Sequence, residues 1–371
     1  MSEENFMRLA IEEAKKGEGF THPNPLVGAV LVKNGEILAT GYHHRYGDLH
    51  AERDCLKNVA ERGIDPHGAT MFVTLEPCCH TGKQPPCTQA IIEAGISKVV
   101  IGSRDPNNLV NGKGVEQLKA AGIEVVQDFL KDECDSLNDI FFYYITHKMP
   151  YVILKYAMTA DGRTATVSGK SKWITGEKAR ENVHKTRASV AAVMTGIGTV
   201  KADDPLLTCR LNDGKDHHQP ERIIIDSNLE IPEESALVKS AKTSKVTVIY
   251  GFFNPHTNDK REWLYHQGVK TATASLNKNG RIDMKEVFES LAEWSIDSVL
   301  VESGGELAAS VLPFANEVHA YVAPKIFGGV SDIRVPIRGE GVDSPDDAVQ
   351  FRLAGVEQFG DDVLLKYKRE L

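Results

Sequence analysis

The sequence predicts an α/β protein of two domains, a three-layer α/β/α domain followed by a second α/β domain. Three observations carry this expectation. The chain has 371 residues, too many for one ordinary core. Short apolar runs alternate with helix-patterned stretches as far as residue 126, the mark of strands joined by crossovers. Near residue 150 the alternation stops and restarts, which sets a boundary at 147–151 and domains at 1–148 and 149–371.

The elements follow in order. Residues 3–16 carry Phe6, Leu9, Ala10 and Ile11 among charges, a helix pattern stopped by Gly17 and Gly19. Apolar runs at 26–32 and 36–42 flank Asn34-Gly35, a hairpin signal. A helix over 50–61, a strand over 70–75, a helix over 88–95, a strand over 98–102, a helix over 114–122 and a strand over 123–126 complete the first domain. After an aromatic helix-like stretch at 139–148, a strand over 149–162 opens the second domain. Further α/β units are read at 188–196, 221–227, 245–251, 297–305 and 317–329.

Composition excludes several classes. Hydrophobic residues make up 41% and charged residues 26%, the balance of a globular protein. No apolar run reaches the roughly 18 residues that span a bilayer, and MSEENFMRLA lacks the basic start of a secretory signal. The expectation is a cytoplasmic protein with no membrane partner. A net charge of −9 offers no footprint for nucleic acid. Six cysteines are too few for a disulfide scaffold, and three of them cluster, which in a reducing compartment points to metal or chemistry.

That cluster is LEPCCHTGKQPPC, 75–87, with four potential ligands in Cys78, Cys79, His80 and Cys87. A structural zinc site draws pairs of ligands from two short knuckles, and adjacent side chains rarely reach one metal, so a self-contained knot is not expected. Cys78 and Cys87 are separated by eight residues that include Gly82 and Pro85-Pro86, a spacing that loops back. The third ligand is then His50 of His50-Ala51-Glu52, at the start of a predicted helix. His-x-Glu followed by Pro-Cys and a further Cys is the order found in zinc deaminases, where the Glu is not a ligand. Three protein ligands leave a position for water, the mark of a catalytic site. Zinc lowers the pKa of such a water to about 7, and Glu52 would pass its proton to a ring nitrogen and the departing amine. Cys79 reads as a neighbour of the site, His80 as a loop or substrate-facing residue, and Cys55 as a core thiol. Cys134 and Cys209 receive no role.

At these residues a family becomes recognisable. THPNPLVGAV (21–30), HAE (50–52) and EPCCHTGKQPPC (76–87) resemble the deaminase half of the RibD family of bifunctional riboflavin-biosynthesis proteins. The resemblance implies a cytidine deaminase-like fold for the first domain and makes Asn24 a substrate contact. By itself, Asn24 also reads as a turn residue between two prolines.

In the second domain no G-x-G-x-x-G opens a βαβ unit, so a Rossmann fold is not expected. SVLVESGGELAASVL (298–312) reads as strand, acid, two glycines and helix, a place where backbone approaches a phosphate. KYAMTADGRTA (155–165), SKWIT (171–175), TGIGTVKADDPLLTCR (195–210) and VESGG (301–305) resemble the reductase half of the same family. That implies a dihydrofolate reductase-like fold using NADPH. By resemblance the NADPH site takes Ala157, Trp173, Thr199, Asp203 and Ser227 with Gly304, Gly305, Glu306, Leu307, Ala308, Ala309 and Ser310. Ser171, Arg187, Leu207, Arg210 and Glu302 would contact substrate, and two arginines suit a ribose phosphate. Lys155 lies inside an apolar strand, so a partner such as Glu302 is expected, together with a role in positioning or protonating the opening sugar. Asp161-Gly162 reads as a turn, and the last 40 residues add little. The expected function is deamination of a phosphoribosylaminopyrimidine followed by reduction of its ribosyl chain, in a homo-oligomer. The rival readings are a nucleoside or tRNA deaminase with an appendage and a zinc-stabilised binding protein.

Overall fold

The structure, a computed structural model, describes residues 1–107, 109–251, 257–329 and 334–370. It divides into two compact units, Met1–Lys148 and Met149–Leu371.

The first unit opens with α1 (Glu3–Lys15), which buries Phe6, Met7, Ala10, Ile11 and Ala14 along one stripe, the period of a core-facing helix. Strands β1 (Gly28–Lys33) and β2 (Glu36–Tyr42) pair antiparallel. Their turn places Asn34 at φ 53° and Gly35 at φ 79°, both left-handed as the tight hairpin requires. Then come α2 (Ala51–Glu61), β3 (Thr70–Leu75), α3 (Cys87–Glu93), β4 (Lys98–Ser103), α4 (Lys113–Ala120) and β5 (Glu124–Val126). The unit closes with α5 (Lys131–Asp135), which the sequence did not suggest, and α6 (Asp139–His147). The sheet order is β2-β1-β3-β4-β5, with β3, β4 and β5 parallel. Alternate strand residues serve opposite layers. Val30, Phe72 and Val100 meet α1 and Cys134 of α5. Leu31, Met71, Val73, Val99 and Ile101 meet Cys55 and Val59 of α2, Ile91 of α3 and Leu118 of α4. Burial on both faces is why these strands read as continuous apolar runs.

The second unit runs β6 (Tyr151–Thr159), α7 (Glu177–Ser189), β7 (Ala192–Gly196), α8 (Ile197–Asp203), β8 (Glu221–Ile225), α9 (Ala236–Lys239), β9 (Val246–Gly251), α10 (Asn258–His266) and β10 (Val269–Ala274). It continues with α11 (Met284–Glu293), β11 (Ser298–Glu302), α12 (Gly305–Val311), β12 (Glu317–Ala323), β13 (Arg352–Phe359) and β14 (Asp362–Lys368). The sheet order is β10-β9-β8-β7-β11-β6-β12-β14-β13, parallel from β10 to β12 and antiparallel beyond. One expectation is corrected here. The strand read over 149–162 ends at Thr159, because Asp161 turns away to accept N–H bonds from Phe327 at 3.2 Å and Gly328 at 2.7 Å. The last 40 residues, to which the resemblance adds little, form β13 and β14, which extend the sheet beyond β12. Their period is blurred by a bulge between Leu353 and Gly355 and by polar residues on an outer strand. Among the described residues no helix is long and apolar enough to cross a membrane.

Candidate active sites

In the first unit, His50 is the N-cap of α2, which places Glu52 in the first turn, where the helix end favours a carboxylate. Cys78 follows β3, and Cys87 opens α3 behind Pro86. The loop between them is held from α2. Arg53 donates to the Pro85 carbonyl at 3.0 Å and the Pro86 carbonyl at 2.8 Å. The double proline therefore returns Cys87 to the helix that carries His50. The Nδ1 atom of His50 lies 3.5 Å from the sulfurs of Cys78 and of Cys87, and the three ligand atoms lie within 4.8 Å of one another. A hydrogen bond from the Cys87 thiol draws the Cys78 thiol down to about 4 against the effect of burial, with His50 adding to it. A pocket that already stabilises a thiolate beside an imidazole and a second thiol fits zinc.

Glu52 is buried, and that burial, with Cys78 beside it, raises its pKa. It lines a cavity of about 250 Å³ together with Asn24, His43, His50, Cys78, Lys83 and Asp105. The Nδ1 of His43 lies 2.9 Å from the Leu49 carbonyl, so that nitrogen carries the proton. Its Nε2 then accepts from the Asn24 amide at 3.1 Å, which fixes that amide's orientation. Cys79 lies outside the ligand set, 3.6 Å from the Leu109 carbonyl.

In the second unit, Lys155 of β6 stands opposite Glu302 of β11 in parallel register. The Lys155 ammonium is 3.4 Å from Glu302. Arg187 of α7 grips the same carboxylate with two donors, at 2.6 and 3.1 Å, and donates a third bond to the Thr208 carbonyl at 3.1 Å. Burial opposes the charge on Glu302, yet Arg187 and Lys155 hold it down at about 2. Arg210 is exposed and reaches the Thr208 hydroxyl at 3.0 Å.

The second unit also holds a cavity of about 520 Å³ lined by Ser171, Thr199, Asp203, Ser227, Gly304, Gly305, Glu306, Leu307 and Ser310. The Gly304 N–H donates to the Thr199 hydroxyl at 3.3 Å, joining the turn after β11 to α8.

The comparisons with known proteins cover both units. Residues 150–365 match the RibD C-terminal domain, and residues 1–103 match the cytidine and deoxycytidylate deaminase zinc-binding region. The riboflavin biosynthesis protein RibD of Actinobacillus pleuropneumoniae is 49% identical over 369 residues, covering 99% of this chain and 95% of that protein. The chain belongs to the RibD family. Among solved structures, RibD from Acinetobacter baumannii superposes with a TM-score of 0.86 at 36% identity, covering 99% of this chain and 98% of that one. A deaminase/reductase from Thermotoga maritima gives 0.84 at 39% identity, with 99% and 98% covered. A RibD chain is a bifunctional enzyme of riboflavin biosynthesis, with a zinc deaminase domain of cytidine deaminase-like fold and an NADPH-using reductase domain.

Against that background, several residues sit differently from the sequence reading. Ala308 turns into the core, because helical periodicity points it away from the cavity that Leu307 faces. Ala309 and Ala157 are half-buried and lie off the cavity wall, Ala157 packing with Tyr321 and Val183. Trp173 is 62% exposed under the Arg180 guanidinium rather than in the cavity. Leu207 is buried and does not line the cavity. Arg187, expected to reach a phosphate, spends its guanidinium on Glu302. Sequence reading missed His43, Lys83 and Asp105 in the first cavity, and Arg281, Arg334 and Arg338 in the second. His43 and Lys83 lie within short reach of the recognised motifs. Nothing in the sequence links the three arginines to the others.

Proposed function

We propose that the first unit hydrolytically deaminates 2,5-diamino-6-ribosylamino-4(3H)-pyrimidinone 5′-phosphate at the ring carbon bearing the 2-amino group. The second unit then reduces the ribosyl C1′, giving 5-amino-6-(5-phosphoribitylamino)uracil. One observation carries the reading: His50, Cys78 and Cys87 converge beside the buried carboxylate of Glu52 in a single cavity. The Thermotoga relative is named for a diaminohydroxyphosphoribosylaminopyrimidine deaminase and a 5-amino-6-(5-phosphoribosylamino)uracil reductase.

His50, Cys78 and Cys87 would hold the zinc, which when bound would supply a Lewis acid that lets water ionise near neutral pH. Glu52 accepts a proton as the water oxygen bonds to the ring carbon. It returns that proton to the ring nitrogen and then carries the proton of the new hydroxyl to the amine, so that the C–N bond breaks, ammonia leaves and the ring carbon becomes a carbonyl. Its raised pKa suits a group that must hold the proton in between. Asn24, oriented by His43, pairs with the pyrimidinone edge, which offers both a donor and an acceptor. Lys83, 3.7 Å from the Tyr46 ring centroid, provides a cation for the 5′-phosphate.

In the second unit Thr199, Ser227 and Gly304 of the larger cavity would hold NADPH, which when bound would supply the hydride for C1′. The C1′–O4′ bond opens, and the freed oxygen takes a proton from Lys155, the ammonium beside Glu302. Arg187 acts through Glu302, holding it ionised and placed, and Arg210 with Ser171 binds the substrate phosphate. A cytosolic homo-oligomer completes the reading. None of the six cysteines is in a disulfide, as suits a reducing compartment, and the outer strand β13 leaves Leu353 and Val356 exposed.

The test is Glu52→Gln. Zinc content should stay at the wild-type level while ammonia release falls by about 10²- to 10⁴-fold, the usual weight of one acid–base group. NADPH oxidation should persist when deaminated substrate is supplied. Undiminished ammonia release would sink the assignment, and a zinc-stabilised binding protein would show no turnover in either form.

A further inference from the structure

We infer that Arg281 and Arg338 form the clamp that selects NADPH over NADH by holding the 2′-phosphate of its adenosine. This rests on reading the larger cavity of the second unit as the cofactor site.

Place is the first argument. The reacting end of the site lies at Lys155 and Glu302, on the adjacent strands β6 and β11. From β11 the sheet continues through β7, β8 and β9 to β10. The cavity follows the same path, with Thr199 after β7, Ser227 after β8 and Arg281 in the turn beyond β10. Neither Lys155 nor Glu302 lines this cavity, whereas both arginines approach Glu306 in the first turn of α12, so the two ends of the site are distinct. A cofactor with its nicotinamide beside Glu302 therefore carries its adenosine toward Arg281.

The second argument is charge. Arg281 and Arg338 flank one carboxylate, Glu306, at 3.7 Å and 3.4 Å. All three side chains are about half exposed, and both separations are looser than a forked hydrogen bond. Two cations sharing one anion leave a surplus positive charge on the cavity wall. A phosphate dianion matches both guanidinium groups better than a single carboxylate does.

Placement before binding is the third. The Arg338 N–H donates to the Gly305 carbonyl at 2.9 Å. Its side chain lies across Gly305 so closely that an added Cβ would fall 2.8 Å from Arg338 Cγ. Arg281 is set by a closed turn, in which the Asn277 N–H reaches its carbonyl at 2.7 Å. Glu306 competes with the phosphate for both arginines, so its removal should strengthen phosphate binding.

Calorimetric titration of the full-length protein with 2′,5′-ADP and with 5′-ADP tests this. Wild type should prefer 2′,5′-ADP. Arg281→Ala and Arg338→Ala should each weaken 2′,5′-ADP by about 10- to 100-fold, the value of one charged hydrogen bond, and leave 5′-ADP unchanged. Glu306→Gln should tighten 2′,5′-ADP. In turnover, KM for NADPH should rise in the arginine variants while KM for NADH does not. Lys at either position should recover part of the preference. A double alanine variant with a wild-type melting curve and an undiminished preference overturns the clamp. Wild type that binds neither nucleotide overturns the cofactor-cavity reading as well.

Discussion

Glu302 keeps its negative charge with only 11% of its side chain exposed. The desolvation cost is offset by Arg187 on one side and Lys155 on the other, which hold its pKa at about 2 instead of the ordinary 4.5. A carboxylate depressed on folding stabilises the protein above its unfolded pKa, and that stability is lost as pH falls toward the folded value. The contribution is therefore complete above about pH 4.5 and disappears on the way to pH 2, with a size of about 3 kcal/mol. Glu302→Gln leaves Arg187 and Lys155 buried without a counter-charge, so it should lower Tm clearly at pH 7. Thermal melts from pH 7 to pH 2 should show the gap to wild type closing in the acid range; a gap independent of pH would refute the charge argument. Arg222 follows a different logic. It is fully buried, and its donors are met by oxygens of Leu206, Ser240, Ser244 and Lys245.

At the scale of elements, the proposed zinc ligands depend on how closely α2 lies on β2. A Cβ on Gly41 would fall 2.3 Å from the Cys55 N and 2.7 Å from the Ala51 carbonyl. Ala51 stands between His50 and Glu52, so a displaced helix moves the proposed ligand and the proposed proton carrier together. Gly41→Ala should therefore cost about 1–3 kcal/mol through overpacking. It should also lower zinc per chain and ammonia release in step, measured by metal analysis and assay on one preparation. Normal zinc content in Gly41→Ala would mean that the helix accommodates the methyl group. The same closeness recurs where a Cβ on Gly28 would fall 1.9 Å from the Ala10 carbonyl. In the second unit, β13 and β14 shield β12, whose Tyr321 and Val318 are buried.

For the molecule as a whole, the sheet of the second unit ends at β13, an outer strand with Leu353 at 56% and Val356 at 59% exposure. Apolar residues on an unpaired edge invite a second copy. Light scattering after size exclusion should give a homo-oligomer for wild type and a monomer for the Leu353→Lys, Val356→Lys double variant. An unchanged mass in that variant would place the interface elsewhere. The sequence by itself determined the alternation of elements, because strands buried on both faces must be apolar throughout. It also determined the metal chemistry, because ligand types and their spacing within one loop are local properties. It could not show that Arg53 binds the Pro-Pro loop, that Arg187 pairs with Glu302, or that Arg222 is internal. It gave no sign that Arg281 and Arg338, 57 positions apart, share one carboxylate. Only the tertiary structure decided these, because the partner of a charged side chain is chosen by proximity in space. A cation that reads as a solvated surface charge becomes a ligand or a structural tie only once the folded chain supplies its counterpart.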